Sequence, residues 1–288
     1  MINYEESQYL DLLAEVLGHG TEKQDRTGIG SKSTWVRSLR FNLSNGFPLF
    51  TSRQISFRIA FEEMMFFLRG HTDTTELEAK KIGIWKGNTS REFLDARGLI
   101  YLPAGDMGKG YGHQIRNFGG DHGEKNGFDQ LAYLVRNIKE RPTDRRHLMS
   151  YWHPQQVLNE AALPPCHYSY ACQVLGDKLN AVFTMRSCDL YLGLPTNVPA
   201  YALLTHILAK LTGLNVGELH FVGFDCHLYK NQYEAAQELI LRTPKEFPQF
   251  RFKKNFSTLD EALVLDYNDV EIVGYEHCGK MKKVEMAV

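Results

Sequence analysis

The most reactive grouping in this chain is centred on Cys166. It lies in the run Leu163-Pro164-Pro165-Cys166-His167, between a diproline and a histidine. Proline fixes φ at about −65° and restrains the residue before it, so Pro164-Pro165 stiffens the backbone just ahead of the thiol. A fixed backbone beside a reactive side chain is what positioning for attack requires. Two further runs follow. One is Met185-Arg186-Ser187-Cys188-Asp189, continuing to Gly193-Leu194-Pro195-Thr196-Asn197; the other is Gly223-Phe224-Asp225-Cys226-His227-Leu228-Tyr229. A thiol attacks as its thiolate, and a nearby arginine or histidine lowers its pKa. Arg186 is the candidate cation, because a strand leading into the Cys166 loop would lie beside it. Taken alone, Cys166 reads better as one more buried small hydrophobe. The three runs together reverse that reading.

The elements that must position these groups are legible in outline. Residues 5–17 have helical spacing (Tyr9, Leu12, Leu13, Val16, Leu17), with Gly18 and Gly20 to end the helix. The loop Asp25-Arg26-Thr27-Gly28-Ile29-Gly30 is polar and glycine-bearing. Arg26 suits a phosphate, although a plain turn explains the loop equally well. Residues 33–43 alternate as a strand, placing Trp35, Leu39, Phe41 and Leu43 on one face. Residues 56–69 form a strongly apolar helix capped by Gly70. Glu62 and Glu63 interrupt it. A carboxylate on the core side needs a reason, and Glu62 is read as the one facing water.

Further on, helices are expected at 128–139, 199–212 and 229–241, and strands after His147 and at 168–174, 178–185, 218–223 and 270–275. Ser257-Thr258-Leu259-Asp260 resembles a capping box before a short helix. Trp85, in Ile84-Trp85-Lys86-Gly87-Asn88, would by itself be core, and the adjacent Arg145 and Arg146 would by themselves be solvated. Gly108-Lys109-Gly110-Tyr111-Gly112 lacks the strand–glycine–helix frame of a dinucleotide site. No linker, repeat or low-complexity tract interrupts residues 1–288, which reads as one α/β (α+β) domain.

Composition narrows the class. The 288 residues carry a formal net charge of −1, which gives no bulk drive toward DNA or a membrane. No run of 18 or more apolar residues occurs, and the first residues lack a signal pattern. The five cysteines are irregularly spaced with no Cys-x-x-Cys pair. A disulfide framework or a metal site is therefore not expected, and a reducing cytoplasm is.

The three runs, with Asp25-Arg26-Thr27-Gly28 and the terminal Glu285-Met286-Ala287-Val288, resemble those of the thymidylate synthase family, and the resemblance covers nearly the whole chain. It implies a mixed β-sheet packed by helices, with a sheet face forming the interface of an obligate homodimer. It implies one-carbon transfer from 5,10-methylenetetrahydrofolate to C5 of dUMP, with no metal. Carbon 6 of uracil is electrophilic through conjugation to the C4 carbonyl. Thiolate addition there makes C5 nucleophilic toward the folate's methylene. On this resemblance Cys166 is the nucleophile, and Glu63, Tyr111 and His167 support a proton relay. Arg26, Arg186, Ser187 and a partner subunit's Arg145 and Arg146 hold the phosphate. Asn197 reads the base, and His227 and Tyr229 bind the sugar. Asp189 contacts the pterin; Ile84, Trp85, Asn88, Leu163, Leu192, Gly193 and Ala287 line the folate side. An amide at Asn197 can donate to O4 and accept from N3–H, which favours uracil over the cytosine of dCMP.

Several positions depart from the family pattern. Phe66 and Ile115 stand where tryptophan is typical, Lys86 for aspartate, Asn88 for a second folate-side tryptophan, Met185 for glutamine and Thr196 for phenylalanine. Ser56 and His153 also differ, so the nucleotide half is kept and the folate half altered. Smaller polar side chains at 88 and 196 leave room for a water. The expectation from sequence is therefore a hydroxymethylase, ending with water to give 5-hydroxymethyl-dUMP and tetrahydrofolate. The alternative is a thymidylate synthase proper, ending with hydride, which the intact tail favours. A non-catalytic nucleotide- or RNA-binding relative is a third reading, disfavoured because a binding module has no need of the thiol.

Overall fold

A six-stranded sheet carries both the Cys166 run and the two runs after it. The computed structural model describes residues 3–24 and 28–285. The strands are β1 (Thr21–Lys23), β2 (Ser31–Asn42), β3 (Leu148–Ser150), β4 (His167–Leu175), β5 (Lys178–Asp189) and β6 (Asn215–Tyr229), in the order β1-β2-β6-β5-β4-β3. A small second sheet pairs β7 (Gln249–Phe252) with β8 (Val270–Val273). β4 and β5 form an antiparallel hairpin through Gly176 (φ 63°), whose left-handed backbone suits glycine. β5 and β6 are parallel, so the chain must cross back over the sheet. The helix Leu194–Thr212 makes that crossing. The resulting register sets Ser187 opposite Asp225 and Asp189 opposite His227. Two runs 30 or more residues apart in sequence thus lie side by side.

Both strands outrun their expected ends. Arg186–Asp189 and Phe224–Tyr229 are too polar to read as strand, yet β6 is held between β2 and β5 along this stretch. Pairing on both sides overrides weak propensity. The crossover helix was expected from residue 199, from the spacing of its apolar residues. It starts at Leu194 instead, with Pro195 in the tolerated first turn and Pro199 inside the helix. Thr196 and Asn197 therefore sit on its first turn rather than in a loop.

The helix Phe57–Leu68 is buried over most of its surface and packs on this crossover helix. Glu62 does not face water: it is 4% exposed and accepts from Lys80 Nζ at 2.6 Å. The partner comes from a different element, which the helix's own periodicity could not reveal. Trp35 also departs from expectation. Leu39, Phe41 and Leu43 are buried, but Trp35 is 70% exposed. The backbone between them turns at Val36, a β-branched residue at φ 46°. Trp35 then lies near Phe224 (centroids 5.9 Å), and Phe224 near Tyr168 (5.7 Å), an aromatic row across the outer face of the sheet.

The stretch 229–241 is a 3₁₀ turn, Lys230–Gln232, followed by the helix Tyr233–Leu239. The capping box sits one residue later than read, with Thr258 and Glu261 as its pair. Among the described residues no helix is long and apolar enough to cross a membrane.

Candidate active site

Cys166 immediately precedes β4, and its backbone is held on both sides. Its N–H donates to Tyr111 Oη at 2.8 Å, and its carbonyl accepts from Arg186 N–H at 2.9 Å. The Arg186 guanidinium donates to the carbonyls of Pro165 (3.0 Å) and Pro164 (2.9 Å) and lies 5.4 Å from the Trp152 ring centroid. Arg186 thus lies beside the cysteine loop as its strand position implied. It clamps the two prolines that stiffen the approach to the thiol and keeps a permanent positive charge within that loop.

Behind Cys166 stands a buried aromatic wall. Tyr111 opens the helix Tyr111–Arg116; its ring stacks on His167 (4.3 Å) and Phe67 (4.7 Å) and meets Trp85 edge-on at 5.7 Å. Burial pushes the Tyr111 phenol well above its usual range. His167 Nδ1 lies 2.6 Å from Tyr201 Oη, and burial pulls the imidazole down to about 3, so it is neutral at physiological pH. Glu63, 8% exposed, accepts from Trp85 Nε1 at 2.8 Å. Burial raises its carboxyl to about 7 against the opposing pull of that hydrogen bond. A carboxyl poised near neutrality can both hold and release a proton at working pH. Trp85 is therefore core and also the residue that fixes Glu63.

The third part lies at the C-terminal ends of β5 and β6. Asp189 Oδ1 accepts from the N–H groups of Tyr191 and Leu192, both at 2.9 Å, and its carbonyl accepts from Gly193 N–H at 3.1 Å. These bonds turn the chain into the crossover helix, and Asn197 lies within that helix's first turns. Gly193 is tight here: a Cβ would come 3.0 Å from the Asp189 carbonyl. His227 Nδ1 lies 3.2 Å from the Asp225 carbonyl and its ring meets Tyr229 edge-on at 5.0 Å. Ser187 is half-buried.

On the folate side named by the resemblance, Ile84, Leu163 and Leu192 are half-buried and pack against the core. Asn88 is 7% exposed, Thr196 half-buried and Lys86 solvated. Arg145 and Arg146 are exposed, and Arg146 Nε donates to Asp144 at 2.8 Å. They precede β3, whose pairing with β4 begins at Ala171, further along β4 than Cys166. Within one chain they are thus set apart from the thiol. Arg26 and Ala287 lie outside the described residues. Among the described residues no group of three or more His, Cys, Asp or Glu could hold a metal ion.

Three participants escaped the sequence reading: Tyr201 on His167, Trp152 under Arg186, and Gln232, whose Nε2 donates to Asp189 Oδ2 at 2.9 Å. None lies in the runs around Cys166, and each is brought in by tertiary packing. Only Gln232 has a local signal, as the third residue after the start of a capped turn.

The thymidylate synthase family matches residues 7–288. A bifunctional dihydrofolate reductase-thymidylate synthase of Paramecium tetraurelia is 40% identical over 291 residues, covering 99% of this chain and 62% of that protein. The bifunctional protein of Leishmania major is 41% identical over 296 residues, covering 99% and 56%. The thymidylate synthase of human herpesvirus 8 type P is 40% identical over 275 residues, covering 93% and 81%. The chain thus spans 56–62% of the length of these two bifunctional relatives. With a family match across almost all of its residues, this chain belongs to the thymidylate synthase family.

Proposed function

We propose that residues 1–288 act as one thymidylate synthase-like domain that transfers a carbon from 5,10-methylenetetrahydrofolate to C5 of dUMP, yielding dTMP and dihydrofolate. The observation that carries this reading is the Cys166 loop, clamped by Arg186 and Tyr111 in front of a buried glutamate that titrates at about 7. The Cys166 thiolate adds to C6 of the base, and Arg186 keeps the loop rigid as it does so. Glu63 shuttles a proton toward O4, and Tyr111 and neutral His167 orient the proton that C5 must lose. Asn197 reads the uracil edge; His227 and Tyr229 take the sugar, and Ser187 with Arg26 the phosphate. The residues fit a folate. Trp85, Ile84, Leu163 and Leu192 offer apolar surface, and Asp189 offers a carboxylate for the N–H groups of a pterin. The folate supplies the carbon and, for methylation, the hydride that reduces it.

Hydride rather than the water expected from sequence is the reading we adopt, supported by relatives that carry the name thymidylate synthase. Asn88 and Thr196 are the observations that favour the hydroxymethyl product. Incubation with dUMP and methylene-labelled folate, followed by mass spectrometry, should give labelled dTMP and about one dihydrofolate per turnover. Labelled 5-hydroxymethyl-dUMP without dihydrofolate would establish the water-terminated reaction instead. Preference for dCMP in direct competition would refute the reading of Asn197.

We further propose an obligate homodimer formed through the outer sheet face. The exposed Trp35 and the row it makes with Phe224 and Tyr168 support this, since isolated soluble chains rarely leave such a patch bare. Arg145 and Arg146 would then reach the partner's phosphate site. Inactive Cys166→Ala and Arg146→Ala proteins, mixed and allowed to exchange subunits, should recover partial activity. A monomer in sedimentation at assay concentrations would contradict the dimer.

A further inference from the structure

Asp189 has one oxygen committed to the turn that starts the crossover helix. The other oxygen is held by Gln232, which lies on the 3₁₀ turn Lys230–Gln232. Gln232 is 0% exposed and uses both ends of its amide. Nε2 donates to Asp189 Oδ2 at 2.9 Å, and Oε1 accepts from Tyr229 N–H at 3.0 Å. The neighbouring residues extend the same turn's reach. Lys230 N–H donates to the Gly30 carbonyl at 3.0 Å, and Asn231 Nδ2 to the Glu285 carbonyl at 3.0 Å. One short turn therefore ties the carboxylate at the end of β5, the last residue of β6, the loop before β2 and the C-terminal segment.

We infer that Gln232 is a positioning residue that aims the Asp189 carboxylate at the N–H donors of the folate heterocycle; this rests on the folate reading above. A carboxylate can rotate about its last bond, and Oδ1 is fixed only by backbone donors on one side. The buried amide N–H of Gln232 locks the remaining freedom. It does so without a charge that would compete for the ligand's donors. Its link to the nucleotide side, the Oε1 acceptor for Tyr229 N–H, is one that an isosteric carboxylate also supplies.

Gln232→Glu tests this with almost no change of volume. The Oε1 acceptor for Tyr229 remains, while the donor to Asp189 becomes a carboxylate facing a carboxylate. Equilibrium binding of the folate in the presence of dUMP should weaken by at least about 10-fold, the loss expected for a charge-assisted bond in a buried setting. Affinity for dUMP alone should stay within about twofold, while the melting temperature should fall because the variant buries a second carboxylate against Asp189. A purely structural role would instead weaken both affinities by similar factors. That pattern, or unchanged folate binding in Gln232→Glu, overturns the inference. If Gln232→Glu does not fold, Gln232→Met takes its place; it also removes the acceptor for Tyr229 N–H, so the expected result is a loss of folate affinity several-fold larger than the loss of dUMP affinity, and equal losses overturn the inference. A wild-type protein that binds no folate overturns the proposed function as well, whereas a binding wild type beside an unaffected variant overturns only the role of Gln232.

Discussion

Cys166→Ala should lower turnover by at least about 10⁴-fold while leaving dUMP affinity within about twofold. The loss is large because a covalent step has no substitute at this position: without the thiolate, C5 is never made nucleophilic. Cys172, Cys188 and Cys226 cannot replace it: they are buried, and burial holds their thiols above the usual cysteine range. Under the proposed function binding is spared, because the side chains assigned to the nucleotide are others. The variant's fold should also survive, since Cys166 contributes to the loop through its backbone N–H and carbonyl. Steady-state rates together with calorimetric binding of dUMP check both halves. Turnover near wild type would remove Cys166 from the chemistry.

Glu63→Gln should lower turnover by about 100-fold or more and at the same time stabilise the protein at alkaline pH. The first effect follows from replacing a group that titrates at about 7 with one that does not titrate. The second follows from linkage. The folded carboxyl keeps its proton up to about 7, against a reference of 4.5 for an unfolded glutamate. Between those values the folded state binds more protons than the unfolded one, so stability falls as pH rises through this window. A glutamine has no such proton to lose and still accepts from Trp85 Nε1. The variant should melt several degrees above wild type at pH 8 and close to it at pH 4.5. Melting curves at the two pH values decide the matter. A variant less stable than wild type at pH 8 would show that ionised Glu63 is favoured by its surroundings.

The Cys166 site was legible because its signals are local. A diproline before a thiol and a paired polar run ending in Asn197 keep their meaning without knowledge of the fold. What the sequence hid depends on partners far along the chain. Arg186–Asp189 and Phe224–Tyr229 are strand because neighbouring strands hold them, not because their residues prefer it. Glu62 was placed in water because a carboxylate on an apolar helix normally faces solvent, but Lys80 reaches it from the loop beyond. The crossover helix was read from residue 199, yet it starts at Leu194 and runs through Pro199. The readings of Asn88 and Thr196 were made from side-chain size and polarity. Packing buries Asn88 almost completely, so a small side chain there does not by itself mean open space. Gln232 was invisible as a site residue, since its capping role and its bond to Asp189 come from opposite ends of one amide.

Under the proposed function Cys166 forms the bond to the pyrimidine during one-carbon transfer. A dUMP analogue with fluorine in place of the C5 hydrogen cannot lose a proton there, so the reaction should halt with nucleotide and folate both attached to the enzyme. Intact-protein mass spectrometry after incubation with this analogue and methylenetetrahydrofolate should show a gain equal to both molecules, and digestion should place it on the peptide that contains Cys166. No covalent gain, or a gain on a peptide with a different cysteine, would contradict the account.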